Sequence, residues 1–227
     1  MNTSTDTMRQ DILAAALTLA PFEGWTDMML RKAERKAGLT RGAAALYFPE
    51  GPLGVIAYWA EQLDAEAAAK LAAMDLSSMK IREKVTAGVL ARMEAMDDHL
   101  EAARRASSRL ALPDGFAQGT RQVWASADMI WRAIGDTSTD SNYYSKRTIL
   151  SLVIGSTLPM WLSDETSNKT KARAFLDDRI ANVMQFEKLK WEFKSKTENW
   201  PEPVALLGAL RYGGGFKRRR RRRSRTL

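Results

Sequence analysis

An all-α fold is predicted for this chain by its periodicity and its composition. Apolar residues recur at intervals of three and four, as in the series Ile81, Val85, Val89 and Met93. Ala, Leu, Met, Lys and Glu fill the same stretches, whereas β-branched residues are scattered, and no hairpin turn or glycine-rich phosphate loop follows a strand-like run. We therefore expect roughly ten helices of ordinary length, packed as a helical bundle around a hydrophobic core.

The composition excludes several classes of catalytic and metal sites. The 227 residues include no cysteine and a single histidine, His99. A disulfide framework, a cysteine nucleophile and a paired-histidine metal site are therefore excluded, and no G-x-S-x-G nucleophile motif is present. We predict a protein that is not an enzyme, with no catalytic residue, no metal site and no cofactor.

The first fifty residues have the pattern of a helix-turn-helix. A short helix is predicted over 28–37, with Gly38 in the turn that follows, and a second short helix begins at Thr40 or Arg41 and ends near Phe48. Pro52 then leads into a long helix from Leu53. This region resembles the first domain of the tetracycline-repressor family, whose template is followed by Ala37, Gly38, Leu39, Thr40, Leu46, Tyr47 and Phe48.

The predicted recognition helix, residues 41–46, is poor in groups that read bases. Only Arg41 can hydrogen-bond a base or a phosphate, and three alanines follow Gly42. The preceding helix carries four basic residues, Arg31, Lys32, Arg35 and Lys36. They are compatible with weak nonspecific DNA binding. With Glu34 between them, they are also compatible with a solvent-exposed helix face that has no binding role. We expect no sequence-specific nucleic acid as a partner, and a ligand-sensing transcription regulator is the alternative function.

Residues 135–149 begin with an acidic, hydroxyl-rich loop that runs into the start of a helix. Asp140 is the predicted N-cap of the second helix, whose first turn carries Tyr143 and Tyr144, followed by Lys146 and Arg147. Tyrosine and arginine dominate the energetics of protein interfaces, so this turn is a candidate recognition surface. The alternative is that these aromatic side chains belong to the core.

The same run resembles the Coq-nine family, the lipid-binding accessory proteins of ubiquinone biosynthesis. Its motif G-D-x-S-x-D-x-x-W-Y-x-x-R is matched here by Gly135, Asp136, Ser138, Asp140, Tyr144 and Arg147, with Tyr143 in the place of tryptophan. A second family segment is matched by Phe175, Leu176, Arg179 and Ile180. The Coq-nine family shares the repressor-like fold, so the two resemblances imply the same architecture.

The Coq-nine resemblance implies lipid binding, membrane association and a protein partner, the demethoxyubiquinone hydroxylase. The expected partner-binding patch consists of Asp140, Tyr143, Tyr144 and Arg147. The chain also contains 11 methionines and 7 tryptophans, which adapt to irregular apolar ligands but are equally at home in a bundle core. The residues expected to line the pocket for an isoprenoid or quinone lipid are Met129, Ile130, Trp131, Leu158, Trp161 and Phe186.

The C-terminal segment has the pattern of a membrane-surface anchor. An amphipathic helix is predicted to carry Trp200, Val204, Leu207 and Leu210, and a Gly-Gly-Gly joint follows it. Residues 217–227 contain eight basic and no acidic residues, so the other 216 residues are formally neutral within the net charge of +8. A polybasic tail binds an anionic membrane or nucleic acid, or stays merely solvated. The expected membrane-binding residues are those four apolar residues with Arg218, Arg219 and Arg220.

Four regions are predicted along the chain. Residues 1–50 form the helix-turn-helix region, 51–194 the lipid-binding body, 195–216 a linker with the membrane helix, and 217–227 the polybasic tail. The N-terminus has neither the apolar segment of a signal peptide nor the arginine content of a transit peptide. These features predict either a bacterial cytoplasmic protein or a mature organellar one, and we favour the bacterial one. With the two resemblances, we expect a homodimer that is peripheral on the cytoplasmic face of the inner membrane in a bacterium.

Overall fold

The computed structural model of the chain describes the backbone of residues 3–139 and 141–197, and the side chains of 5–139, 142–183 and 185. The described part is helical, and no strand occurs in it. Its α-helices are α1 (Thr3–Glu23), α2 (Asp27–Lys36), α3 (Ala43–Tyr47), α4 (Pro52–Ala72), α5 (Ile81–Glu94), α6 (Leu100–Leu110), α7 (Phe116–Ala133), α8 (Ser141–Ser163) and α9 (Thr170–Thr197). The predicted all-α class is confirmed.

Each boundary in the helix-turn-helix region has a local cause. Thr26 caps α2 by accepting a hydrogen bond from the Met29 backbone N–H at 3.1 Å. Gly38 ends this helix in the left-handed region, with φ at 74°. Gly51 also has a positive φ, and Pro52 is the first residue of α4, where its missing N–H costs nothing. The predicted helix-turn-helix is therefore present.

The core of the first compact unit, residues 1–183, is continuous from α1 to the first part of α9. Trp25 stacks on Trp59 of α4 with ring centroids 5.9 Å apart, and its indole N–H donates to the Ala102 carbonyl of α6 at 3.0 Å. One side chain thus joins the helix-turn-helix to the helical body. A second unit begins at Met184, and the region boundaries predicted from the sequence stay predictions.

Asp164 shapes the loop between α8 and α9. Its carboxylate accepts hydrogen bonds from the Thr166 hydroxyl at 2.6 Å, the Thr166 N–H at 2.8 Å and the Ala172 N–H at 2.8 Å. The hydrogen bond from the Thr166 hydroxyl contributes most to lowering the pKa of Asp164 to about 2. This carboxylate therefore provides the N-terminal cap of α9, a role that its place in the sequence did not indicate.

Candidate functional sites

The corner between α7 and α8 is built around Arg147. Its guanidinium donates through Nε to Asp128 Oδ1 at 2.5 Å and through Nη1 to Asp136 Oδ2 and the Tyr143 carbonyl, both at 3.2 Å. The same guanidinium lies 3.5 Å from the centroid of the Tyr143 ring. Arg147 is only 1% exposed. The side chain therefore ties the end of α7, the acidic loop and the start of α8 together.

Lys146 makes a second set of contacts to the same loop. Its Nζ donates to Asp136 Oδ1 at 2.6 Å and to the Ser138 hydroxyl at 2.7 Å, and it lies 5.2 Å from the Trp131 ring centroid. The Trp131 indole N–H donates to the Lys146 carbonyl at 3.1 Å. The acidic loop thus supplies a shared carboxylate, Asp136, to the basic pair at the start of α8.

The pKa values at this corner favour the charged forms. Burial alone raises the pKa of Asp136, but hydrogen bonds from Lys146, Ser138 and Arg147 outweigh it and hold the pKa below its ordinary value. The pKa of Asp128 is lowered in the same way, with burial outweighed chiefly by the hydrogen bonds from Arg147 and Tyr143. The network therefore favours the charged forms of Asp128, Asp136 and Arg147.

The expected partner-binding patch is only partly exposed. The expectation that Arg147 is exposed is wrong, because both of its carboxylate partners lie behind it in the protein. Tyr143 is half-buried and donates its hydroxyl to Asp128 at 3.1 Å. Tyr144 is 64% exposed and lies between Tyr143 and Trp124 of α7, with ring centroids 5.1 and 6.5 Å away. Asp140 lies outside the described residues.

Trp124 completes this surface, although the sequence analysis did not select it. It lies on α7 one helical turn before Asp128, so the contact with Tyr144 depends on how α7 and α8 pack. No local sequence pattern indicates the contact between Trp124 and Tyr144. The candidate surface at this corner therefore consists of Tyr144 and Trp124, held in place by the Arg147 network.

A cavity of about 500 Å³ opens between α5, α6, α7 and α8. Its wall is mostly apolar, and its α7 residues recur at helical spacing. Those that line it from α7 are Phe116, Gly119, Thr120, Gln122, Val123 and Ser126, and those from α8 are Ser151, Leu152, Ile154, Gly155, Leu158 and Pro159. Phe116 and Leu152 are largely exposed, which places them at the mouth of the cavity.

Of the expected lipid-lining residues whose side chains the structure describes, Leu158 alone lines this cavity. Ile130 and Trp161 are core residues, and the Trp161 indole N–H donates to Asp97 at 2.8 Å. Met129 and Trp131 pack partly buried against the core. These four residues do not line this cavity because the largest apolar side chains fill the core itself, and their role in lipid binding stays a prediction. Phe186 lies outside the described side chains.

Other expectations concern the termini and the basic helix. The predicted membrane-binding residues, from Trp200 to Arg220, lie outside the described residues. Within the described part, no helix is long and apolar enough to cross a membrane, and no group of three or more metal-binding side chains occurs.

On α2 the predicted solvated face is wrong for Glu34, which is 2% exposed and accepts hydrogen bonds from the Gly42 N–H at 2.9 Å and the Ala44 N–H at 2.8 Å.

Comparison with known proteins confirms both resemblances. The family model of COQ9 matches residues 116–187, the segment that holds most of the cavity wall and the Arg147 corner. The mitochondrial ubiquinone biosynthesis protein COQ9 of Bos taurus is 26% identical over 213 residues, covering 91% of this chain and 66% of that protein. The COQ9 protein of Homo sapiens is 25% identical, with the same coverage of both chains. The chain thus spans just under two thirds of these relatives.

The architecture also matches a solved structure. The TetR transcriptional regulator from Nitrosomonas europaea ATCC 19718 superposes with a TM-score of 0.64 at 18% identity, covering 79% of this chain and 99% of that one. At this identity the match establishes the fold alone, and the expected repressor-like fold is confirmed.

Proposed function

We propose, from the premise that this chain is similar to the COQ9 proteins, that it is a lipid-binding accessory protein of ubiquinone biosynthesis with no catalytic activity of its own. The observation that carries the proposal is the mostly apolar cavity of about 500 Å³ within the segment that matches the COQ9 family. Its size and lining suit an isoprenoid or quinone lipid. The protein would present that lipid to the demethoxyubiquinone hydroxylase at a membrane.

Filling the cavity is expected to remove the lipid. Gly155 lines the cavity, and no atom lies within 4 Å of the place where a Cβ would stand. Gly155→Phe therefore places a ring into open space, whereas Gly155→Ala leaves the cavity open and stabilises α8 by about 0.5–1 kcal/mol. Mass spectrometry of lipid extracted from each purified protein is expected to find lipid in the wild type and in Gly155→Ala, and much less in Gly155→Phe. Equal lipid in all three proteins would place the lipid elsewhere.

The hydroxylase is proposed to bind at Tyr144 and Trp124, with Tyr143 and Arg147 supporting them from below. Truncating an interface anchor typically costs about 2 kcal/mol, so Tyr144→Ala is expected to weaken hydroxylase binding roughly 30-fold. Phe22→Ala removes an aromatic ring from α1 that is even more exposed than Tyr144, and it serves as the matched control. Affinities are measured with immobilised hydroxylase, and the melting temperature of each variant is recorded. Unchanged affinity of Tyr144→Ala would remove this surface from the proposal.

Peripheral binding to an anionic membrane is proposed for residues 200–227, which include the eight basic residues of the tail. Each basic residue near an anionic surface contributes about 1 kcal/mol before screening by salt. Flotation with anionic liposomes is expected to be strong for the full chain and lost on deletion of residues 200–227, and neutral liposomes provide the control. Flotation that survives the deletion would contradict this part of the proposal.

We propose that the membrane is the inner membrane of a bacterium and that the protein binds to its cytoplasmic face. We also propose that the protein is a homodimer, which light scattering can test.

A ligand-sensing transcription regulator is the second candidate, because the solved structure with the same fold is a TetR transcriptional regulator. Selection of genomic DNA fragments by protein truncated before Lys217 separates the two functions, since the truncation removes the polybasic tail. A regulator binds its site at least ~10³-fold more tightly than other DNA and returns a palindromic motif. We expect no motif.

A further inference from the structure

Three residues in the cavity wall carry buried polar atoms that have no hydrogen-bond partner. The atoms are Arg92 Nη1, Gln122 Nε2 and Ser151 Oγ, which belong to α5, α7 and α8 respectively. A buried donor without a partner destabilises a folded protein, and native structures keep few of them. Three such groups from three helices around one cavity therefore indicate a ligand that supplies the missing acceptors.

The contacts that hold the Arg92 side chain in place leave its Nη1 without a hydrogen-bond partner. Its Nε donates to Asp64 Oδ1 at 2.5 Å, and the Ser126 hydroxyl donates to the same oxygen at 2.7 Å. Arg92 is 8% exposed, and its charge is balanced by Asp64. Because the pair is close to neutral, it offers hydrogen-bond donors without a net positive charge. A neutral oxygen-bearing group fits this environment better than a phosphate or a carboxylate.

Two of the three donors, those of Arg92 and Gln122, lie at the neck of the cavity, whereas Ser151 lines the main cavity alone. Arg92 and Gln122 line both the main cavity and a smaller extension of about 70 Å³, which is otherwise mostly apolar and lies against Trp59 and Leu63. Phe116 and Leu152 stand at the opposite, exposed end. The cavity thus carries unpaired hydrogen-bond donors in its wall and large apolar side chains at its mouth.

We propose that Arg92, Gln122 and Ser151 bind the ring oxygens of a quinone or phenol head group whose hydrocarbon tail runs toward Phe116 and Leu152. This assignment rests on the proposed lipid-binding function and names the end of the lipid that the cavity recognises. Carbonyl and phenol oxygens accept hydrogen bonds from a guanidinium, an amide and a hydroxyl without adding a full negative charge. A plain hydrocarbon would leave all three donors unpaired.

The experiment uses the full chain, freed of lipid, with two probes that share one tail. A decyl-substituted dimethoxybenzoquinone carries the ring oxygens, and decylbenzene lacks them. The variants are Gln122→Leu and Ser151→Ala, because Gln122 Nε2 and Ser151 Oγ have no hydrogen-bond partner within the described part of the protein. Arg92 is left unchanged, since its removal would leave Asp64 buried without its partner. Affinities are measured by calorimetry, and melting temperatures without ligand are recorded in parallel.

Wild-type protein is expected to bind the quinone at least about 10-fold more tightly than decylbenzene, and each variant is expected to lose about 10-fold in quinone affinity alone. The melting temperature of each ligand-free variant is expected to stay unchanged or to rise, because an unpaired buried group has been removed. Equal affinity of both probes for the wild type, or equal losses for both probes in the variants, would overturn the head-group assignment while lipid binding stands. If neither probe binds, both the assignment and the proposed lipid-binding function fail.

Discussion

Replacing Arg147 with alanine is expected to lower the free energy of unfolding by about 3–5 kcal/mol, because the change leaves two carboxylates of the α7–α8 corner without their shared guanidinium. Asp136 is almost fully buried, so water cannot fully replace the lost contact. Urea denaturation of the wild type and the variant, followed by helical circular dichroism, measures the difference.

Arg132 provides the matched control for this prediction. It forms an ion pair with Asp128, one of the same two carboxylates, but its side chain is largely exposed on the surface of α7. Arg132→Ala is therefore expected to cost at most about 1 kcal/mol. Arg147→Lys is expected to fall between the two, because an ammonium cannot reproduce the forked contact with both carboxylates. If Arg147→Ala costs no more than Arg132→Ala, the corner is not organised by Arg147.

Replacing Trp161 with alanine is expected to cost about 3–5 kcal/mol, the range for deleting a large aromatic side chain from a packed core. Trp161 is 0% exposed, and the deletion also leaves the Asp97 carboxylate without the indole N–H that donates to it. Urea denaturation again measures the loss. Phe116→Ala, which removes an exposed ring, is the control and is expected to change stability by no more than about 0.5 kcal/mol.

Trp161→Phe separates a core role from a lipid-lining role. The smaller ring keeps most of the packing, so the variant is expected to stay folded with reduced stability. Because Trp161 does not line the cavity, the lipid that copurifies with each mole of folded protein is expected to equal that of the wild type. A marked loss of lipid from this variant would return Trp161 to the binding site that the sequence analysis assigned to it.

The helix-turn-helix could be predicted from the sequence because its boundaries depend on local chemistry. Gly38 supplies the positive φ that ends α2, and the Gly51-Pro52 pair begins α4. These requirements act over a few residues, so the sequence displays them directly. The spacing of apolar residues on α5 could also be predicted from the sequence, because they recur every four residues. Of these residues, Val89 and Met93 are buried.

The environment of Arg147 could not be predicted in the same way. A basic residue that follows an acidic loop is usually predicted to lie on the surface. The burial of Arg147 depends on Asp128, which lies nineteen positions earlier on another helix. The cavity escaped prediction for a related reason. Its α7 wall combines glycine, glutamine, threonine and serine with single apolar residues. The predicted pocket included Trp131 and Trp161 instead, which pack in or against the core.

Glu34 gives the short helix α3 an anion of its own. The backbone amides of Gly42 and Ala44, at the start of the segment that meets DNA in helix-turn-helix proteins, are already occupied by an internal carboxylate. A nucleic-acid phosphate that approached these amides would compete with a group tethered beside them and would face its like charge. The helix-turn-helix thus satisfies these two amides with its own carboxylate and does not need a bound polyanion to keep its conformation. An effort to convert this scaffold into a DNA reader would therefore have to begin by removing Glu34, before any residue of α3 is redesigned.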